Sequence, residues 1–93
     1  MSWLDNIVPD YDVAIEILDR CNTIYLEFSR NVDCTVYSDL MLIGSKPGFT
    51  IETWVHCNQY QLEYPSTYKS SSIKSALIKL FESHNLTIKI KDN

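Results

Sequence analysis

Apolar residues at Ile73, Ala76, Leu77, Leu80 and Phe81 follow the i, i+3, i+4, i+7, i+8 spacing of an amphipathic helix. Immediately afterwards the period drops to two, in Leu86-Thr87-Ile88-Lys89-Ile90. A one-sided helix beside a one-sided strand must bury both apolar faces in a shared core, so the chain belongs to a layered helix-and-sheet class. Ser71 or Ser72 is positioned to cap the helix, and Asn85 suits the left-handed residue that ends one. Lys74, Ser75, Lys79 and Glu82 fall on its polar side.

The rest of the chain alternates between the two periods. Residues 23–29 read as a strand, with Ile24, Leu26 and Phe28 on one face and Tyr25 and Glu27 on the other. Residues 49–57 and 60–64 read the same way; a turn at Asn58 and a bulge in one longer strand are both open. Gly44-Ser45-Lys46-Pro47-Gly48 is a loop signal. The spacing of Tyr11, Ala14, Ile15, Leu18 and Cys21 predicts a helix over 10–21, capped by Asp10. The shared parity of Cys34, Val36, Leu40 and Leu42 predicts a strand over 34–43. A short helical turn, starting at Ser2 and ending at Pro9, would fold Trp3, Leu4, Ile7 and Val8 onto the core. Ninety-three residues make one domain, 1–93. The expected fold is α+β, in the order α-β-β-β-(β)-α-β. It has a mainly antiparallel sheet of four or five strands, with both helices packed on one face.

Eight Lys+Arg against twelve Asp+Glu give a net charge of −4. Residues 1–63 hold ten acids and three bases, whereas 64–93 hold five lysines and two acids. A general nucleic-acid binder needs clustered positive charge, so that class is disfavoured. No apolar run approaches the ~18 residues of a membrane span, and the first residues lack the basic and long apolar segments of a secretory signal. A cytoplasmic chain without membrane contact is expected, and Asn85-Leu86-Thr87 then carries no glycosylation meaning.

Cys21, Cys34 and Cys57 cannot all pair within one chain, and their gaps of 13 and 23 residues do not match zinc-ligand spacing. They are expected to be reduced, buried, apolar side chains with no metal; the zinc alternative would draw on His56, Cys57 and His84. There is no glycine-rich phosphate loop, H-E-x-x-H or G-x-S-x-G, so neither an enzyme nor a cofactor is expected.

One surface carries a functional expectation. On the parity opposite the apolar residues stand Tyr25 and Glu27, Tyr37 and Asp39, Glu52 and Trp54, followed by His56, Gln59, Gln61 and Glu63. Aromatics interleaved with acids fit a docking face for a protein with a basic surface, with Tyr25, Glu27, Tyr37, Asp39, Glu52 and Trp54 as the binding residues. Two other readings are β-propensity alone and a homodimer interface. The expected function is a small acidic binding or inhibitory module that occludes a basic surface. Viral or mobile-element inhibitors of nucleic-acid-binding host proteins act in this way, as do immunity and antitoxin proteins. The alternative is a nucleic-acid-binding domain using Lys69, Lys74, Lys79, Lys89 and Lys91, which the many acids upstream would oppose.

Overall fold

In the computed structural model, which describes residues 10–54 and 58–91, five extended runs, four of which carry β-branched residues, pair into a sheet. The elements are β1 (Val13–Leu18), a 3-10 turn (Asp19–Cys21), β2 (Thr23–Phe28), α1 (Cys34–Gly44), β3 (Thr50–Trp54), β4 (Gln59–Glu63), α2 (Ser70–Ser83) and β5 (Ile88–Lys91). The result is a small α+β domain with a five-stranded sheet in the order β3-β4-β2-β1-β5. Neighbours β3–β4, β4–β2 and β2–β1 are antiparallel and β1–β5 is parallel, so the sheet is mixed. β3 and β4 are separate paired strands, which removes the bulged-strand alternative. The helical turn expected before Pro9 and positions 55–57 lie outside the described residues.

Two segments exchange the types expected of them. Residues 10–21 do not form a helix: Val13, Ile15 and Ile17 alternate with Ala14, Glu16 and Leu18 in β1, and the β-branched residues prefer that pleat. Asn22, at φ 50°, closes the β1–β2 hairpin in the left-handed region that asparagine tolerates. Residues 34–43 do not form a strand either. Asp33 caps α1 by accepting the Thr35 backbone N–H at 2.9 Å, and this bond holds its carboxyl below the usual range. Val36 and Leu40, one turn apart, are the buried residues of that helix. A capping aspartate before an i, i+4 apolar pair outweighs the accidental parity of Cys34, Val36, Leu40 and Leu42.

α2 and β5 follow the spacing read for them, with small shifts. The helix begins at Ser70 with Lys69 at the N-cap position, ahead of the expected serine cap, and no side chain caps it. Its buried seam is Ile73, Leu77 and Phe81; Leu80 is partly buried and Ala76 is exposed. Asn85, at φ 60°, ends it: Leu86 N–H bonds Phe81 O and Asn85 N–H bonds Glu82 O, each at 3.0 Å.

One buried cluster joins Val13 and Ile15 of β1, Ile24, Leu26 and Phe28 of β2, and Tyr60 and Leu62 of β4 to Val36, Leu40, Ile73, Leu77 and Phe81 of the helices. Phe28 sits edge-on to Tyr37, Tyr60 and Phe81, with ring centroids 5.6, 5.6 and 5.7 Å away. Asp12 ties the residue before β1 to the residue before β5. Its Oδ2 accepts the Thr87 backbone N–H at 2.9 Å, its Oδ1 accepts Arg30 Nε at 3.0 Å, and its own N–H donates to Thr87 Oγ1 at 2.9 Å.

Leu77→Ala is expected to cost about 2–5 kcal/mol in denaturant unfolding, and Leu80→Ala distinctly less, because only Leu77 is fully enclosed. The reverse order would place the helix seam elsewhere. The Thr87 N–H bond is the main reason that the Asp12 carboxyl titrates below its usual value of 3.8. A depressed folded value gives stability that is present above the unfolded value and lost as pH falls through the folded one. Wild type is therefore expected to exceed Asp12→Asn by about 1–3 kcal/mol near neutral pH. That gap should shrink steadily below about pH 4. A gap of equal size at both ends of a pH series of melting curves would contradict the assignment.

Candidate functional site

Side chains alternate across a pleated sheet, so the parity that the buried cluster leaves unused makes a second face. Strand register orders it into rows. From β3 to β5 one row reads Trp54, Gln59, Glu27, Ala14 and Lys89, and the next reads Glu52, Gln61, Tyr25, Glu16 and Lys91. These rows hold a concavity of about 450 Å³, lined by Ala14, Glu16, Tyr25, Leu26, Glu27, Trp54, Gln59, Gln61 and Lys91. Ala14, 2% exposed, is short among long neighbours and makes the low point of this surface. Tyr25 and Trp54 are 38% and 43% exposed.

The polar groups around the concavity are ordered by one another. Gln59 Nε2 donates to Glu27 Oε2 and Gln61 Nε2 donates to Glu63 Oε1, both at 2.9 Å. Lys91 stands in register with Glu16, and the Lys89 ammonium lies 5.5 Å from the centre of the Tyr11 ring. Four glutamates (Glu16, Glu27, Glu52 and Glu63) thus occupy the middle of the sheet and its β3 side, while two lysines occupy the β5 edge. The groups gathered here are carboxylates, side-chain amides, an ammonium and two aromatic rings, which can hold a guest by charge, hydrogen bonding and stacking.

The structure brings four of the six expected binding residues together: Tyr25, Glu27, Glu52 and Trp54 share this face, with Gln59, Gln61 and Glu63. Tyr37 and Asp39 do not join them, because they lie on α1 rather than on a strand. The Tyr37 ring stacks on Tyr60 at 5.7 Å within the aromatic cluster, and its hydroxyl accepts the Val32 N–H at 3.4 Å. Asp39 Oδ2 lies 2.8 Å from His84 Nε2 and fastens α1 to the end of α2. His56 and Cys57 lie outside the described residues. Cys21 and Cys34 are exposed rather than buried, in the turn after β1 and the first turn of α1.

Ala14, Glu16 and Lys91 were not legible as part of this face. The first two sit in the segment whose helical spacing masks its alternation, and Lys91 reaches the site only through the parallel β1–β5 pairing. The Val13-Ala14-Ile15-Glu16-Ile17 alternation was the available signal. Compared with protein-family models, with curated proteins and with solved structures, the chain matches none of them.

Trp54 is expected to contribute little to folding. Trp54→Ala should change unfolding free energy by less than about 1 kcal/mol, as surface substitutions do. Phe28→Ala should cost about 3–5 kcal/mol, as loss of an enclosed ring does. Comparable losses for the two variants in urea unfolding would place the tryptophan in the core.

Proposed function

We propose that this chain is a binding module, without chemistry of its own, that docks a protein with a basic surface on the outward face of its sheet. In this reading both helices cover the opposite face, and connectivity supports that. The β2-α1-β3 and β4-α2-β5 units each join parallel strands, because two antiparallel steps separate β2 from β3, and β4 from β1. The two crossovers run in opposite directions along the sheet from strands that also point in opposite directions. Under the right-handed rule, reversing both leaves the helix on the same side. One sheet face then remains for a partner.

The observation that carries the proposal is the pairing of exposed Tyr25 and Trp54 with a concavity among glutamates. Aromatic anchors in the middle of a polar, charged surface are the usual energetic centre of an interface, and charge complementarity selects the partner. Occlusion of a basic surface, including that of a nucleic-acid-binding protein, is the action such a face supports. A second copy of this chain would bring glutamates against glutamates, which weighs against a homodimer through this face. The lysines of the nucleic-acid alternative are divided: Lys69, Lys74 and Lys79 lie along α2 and its cap, whereas Lys89 and Lys91 lie on β5 beside Tyr11 and Glu16. No helix among the described residues is long and apolar enough to cross a membrane.

Affinity capture with tagged wild type, Trp54→Ala and Glu52→Lys tests the proposal. Wild type should enrich a basic partner, and Trp54→Ala should lose about 2 kcal/mol or more of that affinity. Glu52→Lys should slow association and flatten its salt dependence. A partner that both variants retain, but that Leu42→Asp on the exposed side of α1 releases, would move the docking surface to the helices.

A further inference from the structure

We infer that the concavity above Ala14 receives an arginine side chain of the partner; this rests on docking through the outward face and names the group that the face reads. Glu27 is in register with Ala14 and Glu16 with Tyr25, so the two carboxylate-bearing residues are diagonal neighbours flanking the low point. Such neighbours stand about 7–8 Å apart at Cα, close enough for their carboxylates to converge on one group between them. Tyr25 borders the same spot, and Trp54 closes the β3 side.

Charge sets the sign of the guest. Among the described residues lining the concavity, two bear carboxylates, Glu16 and Glu27, and one bears an ammonium, Lys91, so acidic groups are in excess by one. A single cation balances it. Lone-pair supply points the same way: a carboxylate offers about four acceptor sites, so the bond from Gln59 uses only part of what Glu27 offers. The Gln59 and Gln61 side-chain amides each donate one N–H, to Glu27 and Glu63, and their carbonyl oxygens add acceptors. A site rich in acceptors suits a guest that only donates.

Geometry chooses the guanidinium over the ammonium. A guanidinium presents five N–H donors on a flat fork, can bridge two carboxylates along two edges, and stacks on aromatic rings. An ammonium is a compact, strongly hydrated point charge that satisfies neither the second carboxylate nor the tyrosine face as well. The volume of about 450 Å³ leaves room for the aliphatic stem to lie along Tyr25 and Trp54 while the fork reaches Glu16 and Glu27.

Backbone amide NMR titration of the full chain tests this with three probes: N-acetyl-argininamide, its neutral isostere N-acetyl-citrullinamide, and N-acetyl-lysinamide. The arginine probe is expected to shift the amides of Ala14, Tyr25 and Glu27 in a saturable way, about tenfold more tightly than either of the others. Glu27→Gln is expected to weaken it about fivefold or more while leaving the rest of the spectrum in place. Equal binding of the citrulline probe removes the charge argument, and equal binding of the lysine probe removes the guanidinium argument. Shifts confined to α1 and α2, or no saturable shift at all, also overturn the inference. If the probe fails while Trp54→Ala still releases a captured basic partner, only the arginine assignment falls. A capture indifferent to Trp54→Ala would remove the docking reading itself.

Discussion

The inward Phe28 ring is the contact on which the rest of the architecture turns. It touches Tyr37 of α1, Tyr60 of β4 and Phe81 of α2 at nearly perpendicular angles, so one side chain joins both helices to the centre of the sheet. Side chains on a strand alternate strictly, and a slip by one residue would exchange the two faces. With Phe28 turned into the cluster, Ile24 and Leu26 go in with it, and Tyr25 and Glu27 must point the other way. The outward direction of these two proposed docking residues is therefore a direct consequence of core packing.

The parallel pairing of β1 with β5 is the most demanding part of the fold, because it joins segments 75 residues apart. Asp12 and Thr87 close it with reciprocal hydrogen bonds just before both strands begin, and Arg30 draws in the chain leaving β2. This clip also completes the outward face, since it brings Lys89 and Lys91 alongside Ala14 and Glu16. Lysines on an edge strand deter pairing with another chain. β5 thus ends the sheet with positive charge, and the acidic, aromatic part of the face lies toward β3.

Periodicity was informative where one pattern stood alone. The 73–81 helix, the 23–29 strand and the alternation leading into β5 each satisfy one template and form the element expected. It misled where two templates overlapped. In 10–21, Tyr11, Ala14, Ile15 and Leu18 match a helix while Val13, Ile15 and Ile17 match a strand, and β-branching decides for the strand. In 34–43, four residues share a parity by chance, and the Asp33 cap decides for the helix. These exchanges leave five strands and two helices among the described residues, but they remove Tyr37 and Asp39 from the sheet and bring in Ala14 and Glu16. The aromatic and acidic character of the face was readable from β2, β3 and β4. Its concavity was not, since it depends on a short alanine placed by long-range pairing.

Acrylamide quenching of Trp54 fluorescence, in a Trp3→Phe background, bears most directly on the claim that this face meets the partner. Trp54 should be readily quenched in the free chain, in keeping with its 43% exposure. It should become shielded once the captured basic partner is bound, because a central aromatic anchor loses its solvent contact in the complex. Quenching that is equally efficient with and without a saturating partner would show that binding occurs elsewhere on the molecule.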